Sequence, residues 1–154
     1  MGHWLLKSEL GVFGIDDLAK SPRKTTYWDG VRNYQARTYL RDGMRVGDLA
    51  FFYHSNCEEP AIAGVVEIVR AGYADHTAFD AKDVHFDPDS DPEHPRWFMV
   101  DVQLKRKLAQ PIALAALRSH SAGALEGLAL LQRGNRLSVM PVSAAHWKFI
   151  LGLE

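Results

Sequence analysis

From His3 to Glu9 the chain alternates, with Trp4, Leu6 and Ser8 on one side and Leu5 and Lys7 on the other, a period of two that predicts a strand with a polar end. Ile15 to Lys20 reads as a short helical turn, Ser21-Pro22 as a break, and Thr25 to Trp28 as an extended piece. Asp29 stands where an N-cap would, ahead of a predicted helix from Gly30 to Leu40 that ends near Asp42-Gly43. Arg37, Arg41 and Arg45 recur every four residues, which would align three guanidiniums on one face if the helix reached that far. Val46 to Ser55 and Ala61 to Arg70 alternate as two strands joined by the loop Asn56 to Pro60, a predicted hairpin. Trp97 to Lys107 makes another long strand, Leu114 to His120 and Leu125 to Gln132 are helical candidates, and Arg136 to Val142 is a last strand. Ser143 can cap a terminal helix carrying Trp147, Ile150 and Leu151. Strands interleaved with short helices, without βαβ repeats, predict an α+β fold: a small mixed barrel with helices packed around it. No repeat, low-complexity tract or linker marks a second domain.

Composition adds little to this picture and charge adds more. At 154 residues with 47% hydrophobic and 24% charged residues, one domain with a real core is expected, needing no disulfide or structural metal. The single Cys57 cannot form an internal disulfide, and the start of the chain is too soon charged for a secretory leader. A reducing compartment is expected, the cytoplasm of a bacterium or the nucleus of a eukaryote. The apolar runs are strand length, far below the roughly 20 residues that span a bilayer, so no membrane partner is expected. A net charge of -1 argues against tight, sequence-blind binding of polyanions. The charge is segregated, however: residues 1–45 carry +3, residues 46–101 carry -9 and residues 102–154 carry +5. A basic rim is expected if the fold joins the two outer segments and turns the acidic middle away.

Most chemical signatures are missing. Neither G-x-x-x-x-G-K-[ST] nor G-x-G-x-x-G occurs, which removes support for a phosphate-cradling nucleotide fold. Phe86 to His94 is superficially like a calcium loop, but Pro92 and Phe98 stand where the glycine and the closing glutamate are required. Seven scattered histidines without H-x-x-x-H or a cysteine pair indicate no zinc site, so neither metal nor cofactor is expected. Cys57, three residues after His54, could be a nucleophile beside a base, although a buried cysteine often serves simply as a small hydrophobe.

Trp28-Asp29-Gly30-Val31-Arg32-Asn33-Tyr34-Gln35 is different, because hydrogen-bonding side chains crowd around aromatics there. A nucleobase needs a π-surface to stack on and amide or carboxylate groups to read its edge, and Trp28 with Asp29 or Asn33 supplies both. Free N–H groups at Gly30 and Val31 would suit a carbonyl or an anion. The other reading has Trp28 filling the core and Asp29 merely capping, and the residues leave both open. Lys7-Ser8 and Tyr53-His54-Ser55-Asn56 add polar groups at strand ends, a common place for a pocket rim.

Five blocks carry a resemblance: Trp4-Leu-Leu-Lys-Ser-Glu9, Trp28-Asp-Gly-Val-Arg-Asn-Tyr-Gln-Ala-Arg37, Phe52-Tyr-His-Ser-Asn56, Pro95-Arg-Trp-Phe-Met-Val-Asp-Val102 and Leu137-Ser-Val-Met-Pro-Val142. In this order they resemble the EVE family of the PUA-like group, whose YTH relatives hold a methylated adenine in an aromatic cage. The resemblance implies a single domain over residues 1–154 that binds a modified base, with methylated or hydroxymethylated cytosine in DNA favoured. It implies Trp28 as stacking platform, Asp29 and Asn33 as edge readers, Lys7, Ser8, Tyr53, His54 and Ser55 as lining, and Trp97 as a second wall. Leu10 departs from the proline most relatives have there, which bears on the bend leaving the first strand. Arg32, Arg37 and Arg41 are then expected to hold phosphates, and binding without turnover is the expected mode. A reader of methylated bases in RNA, an enzyme using Glu9, Asp29 or His54, and a sensor of a small metabolite are the alternatives. The oligomeric state is not legible.

Overall fold

In the computed structural model, which describes residues 2–154, the alternating runs become six strands and the gaps between them become short helices and turns. The strands are β1 (His3–Glu9), β2 (Thr25–Tyr27), β3 (Leu49–Ser55), β4 (Ala61–Ala74), β5 (Phe98–Ala113) and β6 (Val139–Pro141). The helices are α1 (Ile15–Lys20), α2 (Tyr34–Thr38), α3 (Leu114–Arg118) and α4 (Ala144–Leu151). The hydrogen-bonded order is β2-β5-β4-β3-β1-β6, with β1 parallel to β3 and the other pairs antiparallel. The predicted hairpin is β3-β4. The barrel needs correcting: among the described residues β2 and β6 remain edges, so the sheet is open, and it is irregular, with register shifts along β4 and β5.

Successive strand residues point to opposite faces, and both faces are covered. On one side Trp4, Leu6, Phe52, Val66, Ile68, Val100 and Val102 pack with Ile15, Leu18, Trp28, Val31, Ala36 and Leu40. On the other, Leu5, Phe51, Tyr53, Ile62 and Val65 pack with Leu108, Ile112, Leu117, Leu125, Trp147 and Ile150. This is why Leu49 to Tyr53 reads as an almost unbroken apolar run. Buried Asp48 joins β1 to the start of β3 by accepting from Trp4 Nε1 and Gly2 N, each at 3.0 Å.

The segment after Trp28 departs most from expectation. Gly30 has φ +78°, a left-handed conformation incompatible with the first turn of a helix. The helix starts at Tyr34, and Asn33 is its cap, with Oδ1 accepting from Ala36 N at 3.0 Å. After Thr38 the chain widens into a π-turn over Tyr39–Gly43. That turn lies directly on Gly72 of β4, where an added Cβ would come within 2.4 Å of the Leu40 carbonyl oxygen. The four-residue arginine row is therefore broken, because α2 ends after Arg37 and Arg45 lies beyond the turn. The predicted helix over 125–132 shrinks to a 3-10 turn at Ala129–Leu131, with Gly127 and Gly134 both at positive φ around it. The terminal helix forms as expected, Ser143 Oγ accepting from His146 N at 3.1 Å.

Candidate functional site

Trp28 leaves β2 with its N–H donating to Val100 O at 2.7 Å, and its ring meets Phe52 edge-on at 5.5 Å. Phe13 lies 6.5 Å from Phe52 on the same side, and His54 meets Phe52 edge-on at 5.6 Å. Trp28 is only 8% exposed, as the core reading has it. The turn between β1 and α1 exposes Val12 at 77% and seats Leu10 against Gly14.

The register divides the strand-end residues between the two faces. Ser8 and His54 lie across from each other on the Trp28 side, where Ser8 Oγ donates to Phe13 O at 2.5 Å and His54 Nε2 accepts from Ile15 N at 3.0 Å. Lys7, Tyr53 and Ser55 alternate to the opposite side, and Tyr53 is buried in the second core. Grouping these three with Trp28 is thus corrected by the period of the strand. Burial lowers the Lys7 and His54 pKa values and raises that of Tyr53. Cys57 Sγ lies 3.9 Å from the His54 carbonyl oxygen, while the imidazole Nε2 is engaged with α1, an arrangement that does not build a nucleophile and its base.

Asp29 is no helix cap; it sits in a polar knot that the spacing of the sequence conceals. Asp75 is fully buried and accepts from Gly30 N at 2.8 Å, Arg32 Nη1 at 3.0 Å, Thr77 N at 2.9 Å and Thr77 Oγ1 at 2.6 Å. Burial alone would raise this carboxyl, but the bonds from Thr77, Gly30 and Arg32 outweigh it and hold its pKa below the ordinary value. Asp29 goes the other way, pushed up by burial and then by the Asp75 charge. The Gly30 N–H does find an anion, as expected, but the anion is the chain's own.

The Arg32 guanidinium is engaged inside the chain. It reaches Asp75, Thr77 Oγ1 at 3.3 Å and His85 O at 2.7 Å, and lies 5.4 Å from the centre of the Trp97 ring. Arg37 donates to Arg96 O at 2.9 Å, and Arg41 pairs on the surface with Asp42 at 2.8 Å. Trp97 is buried, stacked on Tyr34 at 4.9 Å and tied through Nε1 to Asp87 at 2.7 Å. Among the described residues no ring pair joins it to Trp28, so it is not placed as a facing wall.

The segregated charge also folds differently from expectation. The acidic middle packs against residues 29–32 through Asp75, Asp83 and His85, so the Trp28 step has carboxylates beside it. His85 Nδ1 lies 3.4 Å from Asp29 Oδ2 and 3.3 Å from Asp83 Oδ1. These three donors, within 4.8 Å of one another, are the group that could hold a cation, one that no sequence spacing signalled. Two open concavities of about 420 and 240 Å³ lie elsewhere, lined by Glu58, Glu59 and Arg118 and by Lys105, Arg106 and Trp147 respectively. We centre the site on Trp28 instead, because neither concavity gathers a comparable set of aromatic and edge-reading groups.

The EVE domain model matches residues 2–153. Thymocyte nuclear protein 1 of Danio rerio is 50% identical, the match spanning 99% of this chain and 71% of that protein. The Homo sapiens protein of that name is 47% identical over 99% of this chain and 73% of its own length. Among solved structures, the human THYN1 protein in complex with DNA containing 5-methylcytosine superposes with a TM-score of 0.93 at 46% identity, covering 99% of this chain and 97% of that one. A protein from Pseudomonas putida superposes with a TM-score of 0.92 at 42% identity, covering 98% of each.

Proposed function

The chain belongs to the EVE domain family, and from that premise we propose that it is a DNA-binding module that recognises methylated or hydroxymethylated cytosine without chemical turnover. The observation that carries this reading is the human relative solved with 5-methylcytosine DNA, whose fold this chain shares over nearly its whole length. The base stacks on Trp28, and Asp29 reads its edge. Stacking contributes about 1–3 kcal/mol per base, whereas the methyl group adds only about 0.8 kcal/mol, roughly fourfold in affinity. Strong preference for the modified base therefore demands a cavity shaped to the methyl.

Of the three arginines, Arg41 keeps an exposed guanidinium whose partner is a solvent-screened neighbour, and it is the one assigned to phosphate. Asn33 and Trp97 hold α2 and its surroundings in place and act on the base indirectly. The carboxylates around Asp29 favour a second reading, a free modified nucleoside as ligand, since they repel a phosphate backbone. Titration of labelled oligonucleotides carrying 5-methylcytosine, 5-hydroxymethylcytosine or cytosine tests both. We expect modified DNA to bind more tightly, rising salt to weaken it, and Trp28→Ala to cost at least tenfold. Equal affinity for modified and plain DNA, unmoved by Trp28→Ala, sinks the DNA reading. A free nucleoside that binds as tightly as the oligonucleotide establishes the second one.

A further inference from the structure

Asp29 and Asp83 set two negative charges beside the Trp28 step, and among the described residues the one ion-pair partner either of them has is His85. Arg32 does not serve them, because its charge is spent on buried Asp75. The His85 ring turns Nδ1 toward both carboxylates, 3.4 Å from Asp29 Oδ2 and 3.3 Å from Asp83 Oδ1. That nitrogen is shielded from solvent and hydrogen-bonds to neither oxygen. A buried polar atom without a partner costs free energy, and a fold that keeps one aimed at two unpaired carboxylates calls for something between them. The ring is held in place from outside the trio. Its carbonyl accepts from Arg32 at 2.7 and 3.2 Å, and Gly30 gives it room, since an added Cβ there would stand 2.5 Å from Nε2.

We infer that Asp29, Asp83 and His85 form a binding site for a divalent cation of the zinc class. Two ligand atoms about 2.1 Å from one ion, separated by the tetrahedral angle, stand about 3.4 Å apart. His85 Nδ1 keeps this spacing to each carboxylate oxygen, too long for a charge-assisted hydrogen bond of about 2.7–2.9 Å and right for an edge of a coordination tetrahedron. All three donor atoms lie within 4.8 Å of one another, so a turn of one aspartate side chain closes the remaining edge. An imidazole with two carboxylates is a donor set that suits zinc, whereas magnesium and calcium take oxygen ligands. Three protein ligands leave the fourth position to water, and side chains that are 27–39% exposed give the ion a way in. Coordination through Oδ2 leaves Asp29 Oδ1 for a base edge. The ion ties residue 29 to the turn at residues 83–85, and its two charges offset the two carboxylates that repel a phosphate backbone. This last consequence, unlike the site itself, rests on the DNA-binding reading above.

The test titrates zinc chloride into the tag-free protein, first stripped with EDTA, by calorimetry, and cobalt(II) in parallel by visible absorption, where the four-coordinate ion absorbs far more strongly than the hydrated one. His85→Phe keeps a ring on Gly30 without nitrogens, Asp83→Asn keeps the shape and removes the charge, and His94→Ala removes the exposed His94–Asp91 pair as a competing site. A thermal melt of each metal-free variant verifies folding. Wild type is expected to take one ion per chain with a four-coordinate cobalt spectrum. His85→Phe and Asp83→Asn should each lower the affinity by at least about tenfold, the loss that follows even from removing an outer partner of a ligand, while His94→Ala leaves it unchanged. No stoichiometric binding by wild type, or wild-type affinity in either folded ligand variant, overturns the site. Oligonucleotide titration with and without zinc separates the two claims. Tighter DNA binding by the zinc-loaded wild type, with no response in His85→Phe, supports the charge role; zinc binding with DNA affinity unmoved overturns that role and leaves the site. Zinc binding by a chain that takes up no DNA in either form overturns the DNA reading instead.

Discussion

Both faces of the sheet are packed by apolar side chains, and they differ in the segment laid over them. Around Phe51, stacked on Trp147 at 3.9 Å, the side chains are apolar and interlocked, and position follows from burial. Around Trp28 the chain from Asp29 to Asn33 has no regular structure, and its place is set by hydrogen bonds to one carboxylate more than 40 residues away. Burial is non-directional and tolerates an average fit; a polar knot is directional and holds a few atoms at defined places. The first suits a scaffold, and the second suits recognition.

Substitutions should separate the two regimes. The largest effect is expected from Phe51→Ala, a loss of about 3–5 kcal/mol in chemical denaturation through the cavity it leaves, with the ratio of modified to plain DNA affinity unchanged in the folded fraction. A changed ratio would mean that the two faces are coupled. Asp75→Ala follows, with about 3 kcal/mol lost as the Gly30 N–H, the Thr77 groups and Arg32 lose a buried acceptor. Here base preference should fall together with stability, and Asp75→Asn should recover part of both. Gly30→Ala should cost about 1–2 kcal/mol for the left-handed backbone and more for the displaced His85 ring. Its signature is weakened binding with strands intact by circular dichroism.

The carboxyls sharpen the contrast within the knot. Asp75 titrates below an unfolded aspartate, so its stabilisation is complete above the unfolded pKa of about 3.9 and is lost as pH falls through the lower folded value. Asp29 titrates above the unfolded value, so its ionisation opposes folding, and acidification through its folded pKa relieves that opposition before Asp75 begins to protonate. Carboxyl carbon NMR should show the two transitions in that order, and the reverse order would mean that the knot is differently charged. Arg41→Ala should have the smallest effect, leaving the thermal midpoint unchanged and lowering the slope of log affinity against log salt by about one.

Legibility followed the same division. The period of two placed β1, β3, β4 and β5, and the cap at Ser143 was readable because its partner His146 is three residues away. Trp28 and Asp29 stood out through their chemistry. The predicted helix over 30–40 lost its first turn because a distant carboxylate claims the Gly30 N–H and holds the glycine left-handed, a choice no local propensity encodes. The internal partners of Arg32 were hidden for the same reason, since Asp75, Thr77 and His85 lie 43 to 53 residues onward. His85 itself carried no local signal. Placing Tyr53, Lys7 and Ser55 beside Trp28 was avoidable, because strand alternation already sends them to the opposite side.

The position of β1 between β3 and β6 bears on how the chain is made. A ribosome delivers residues 3–9 well before their antiparallel neighbour, residues 139–141. Asp75, β3, β4 and most of the Trp28-side core are synthesised long before then, whereas the opposite face waits for Leu108 to Ile150. A nascent chain can thus hold the polar knot while one margin of β1 still lacks its partner, and such a margin is a template for mispairing with another chain. Its closure by residues 139–141 leaves that margin open from the synthesis of β1 until those three residues are made.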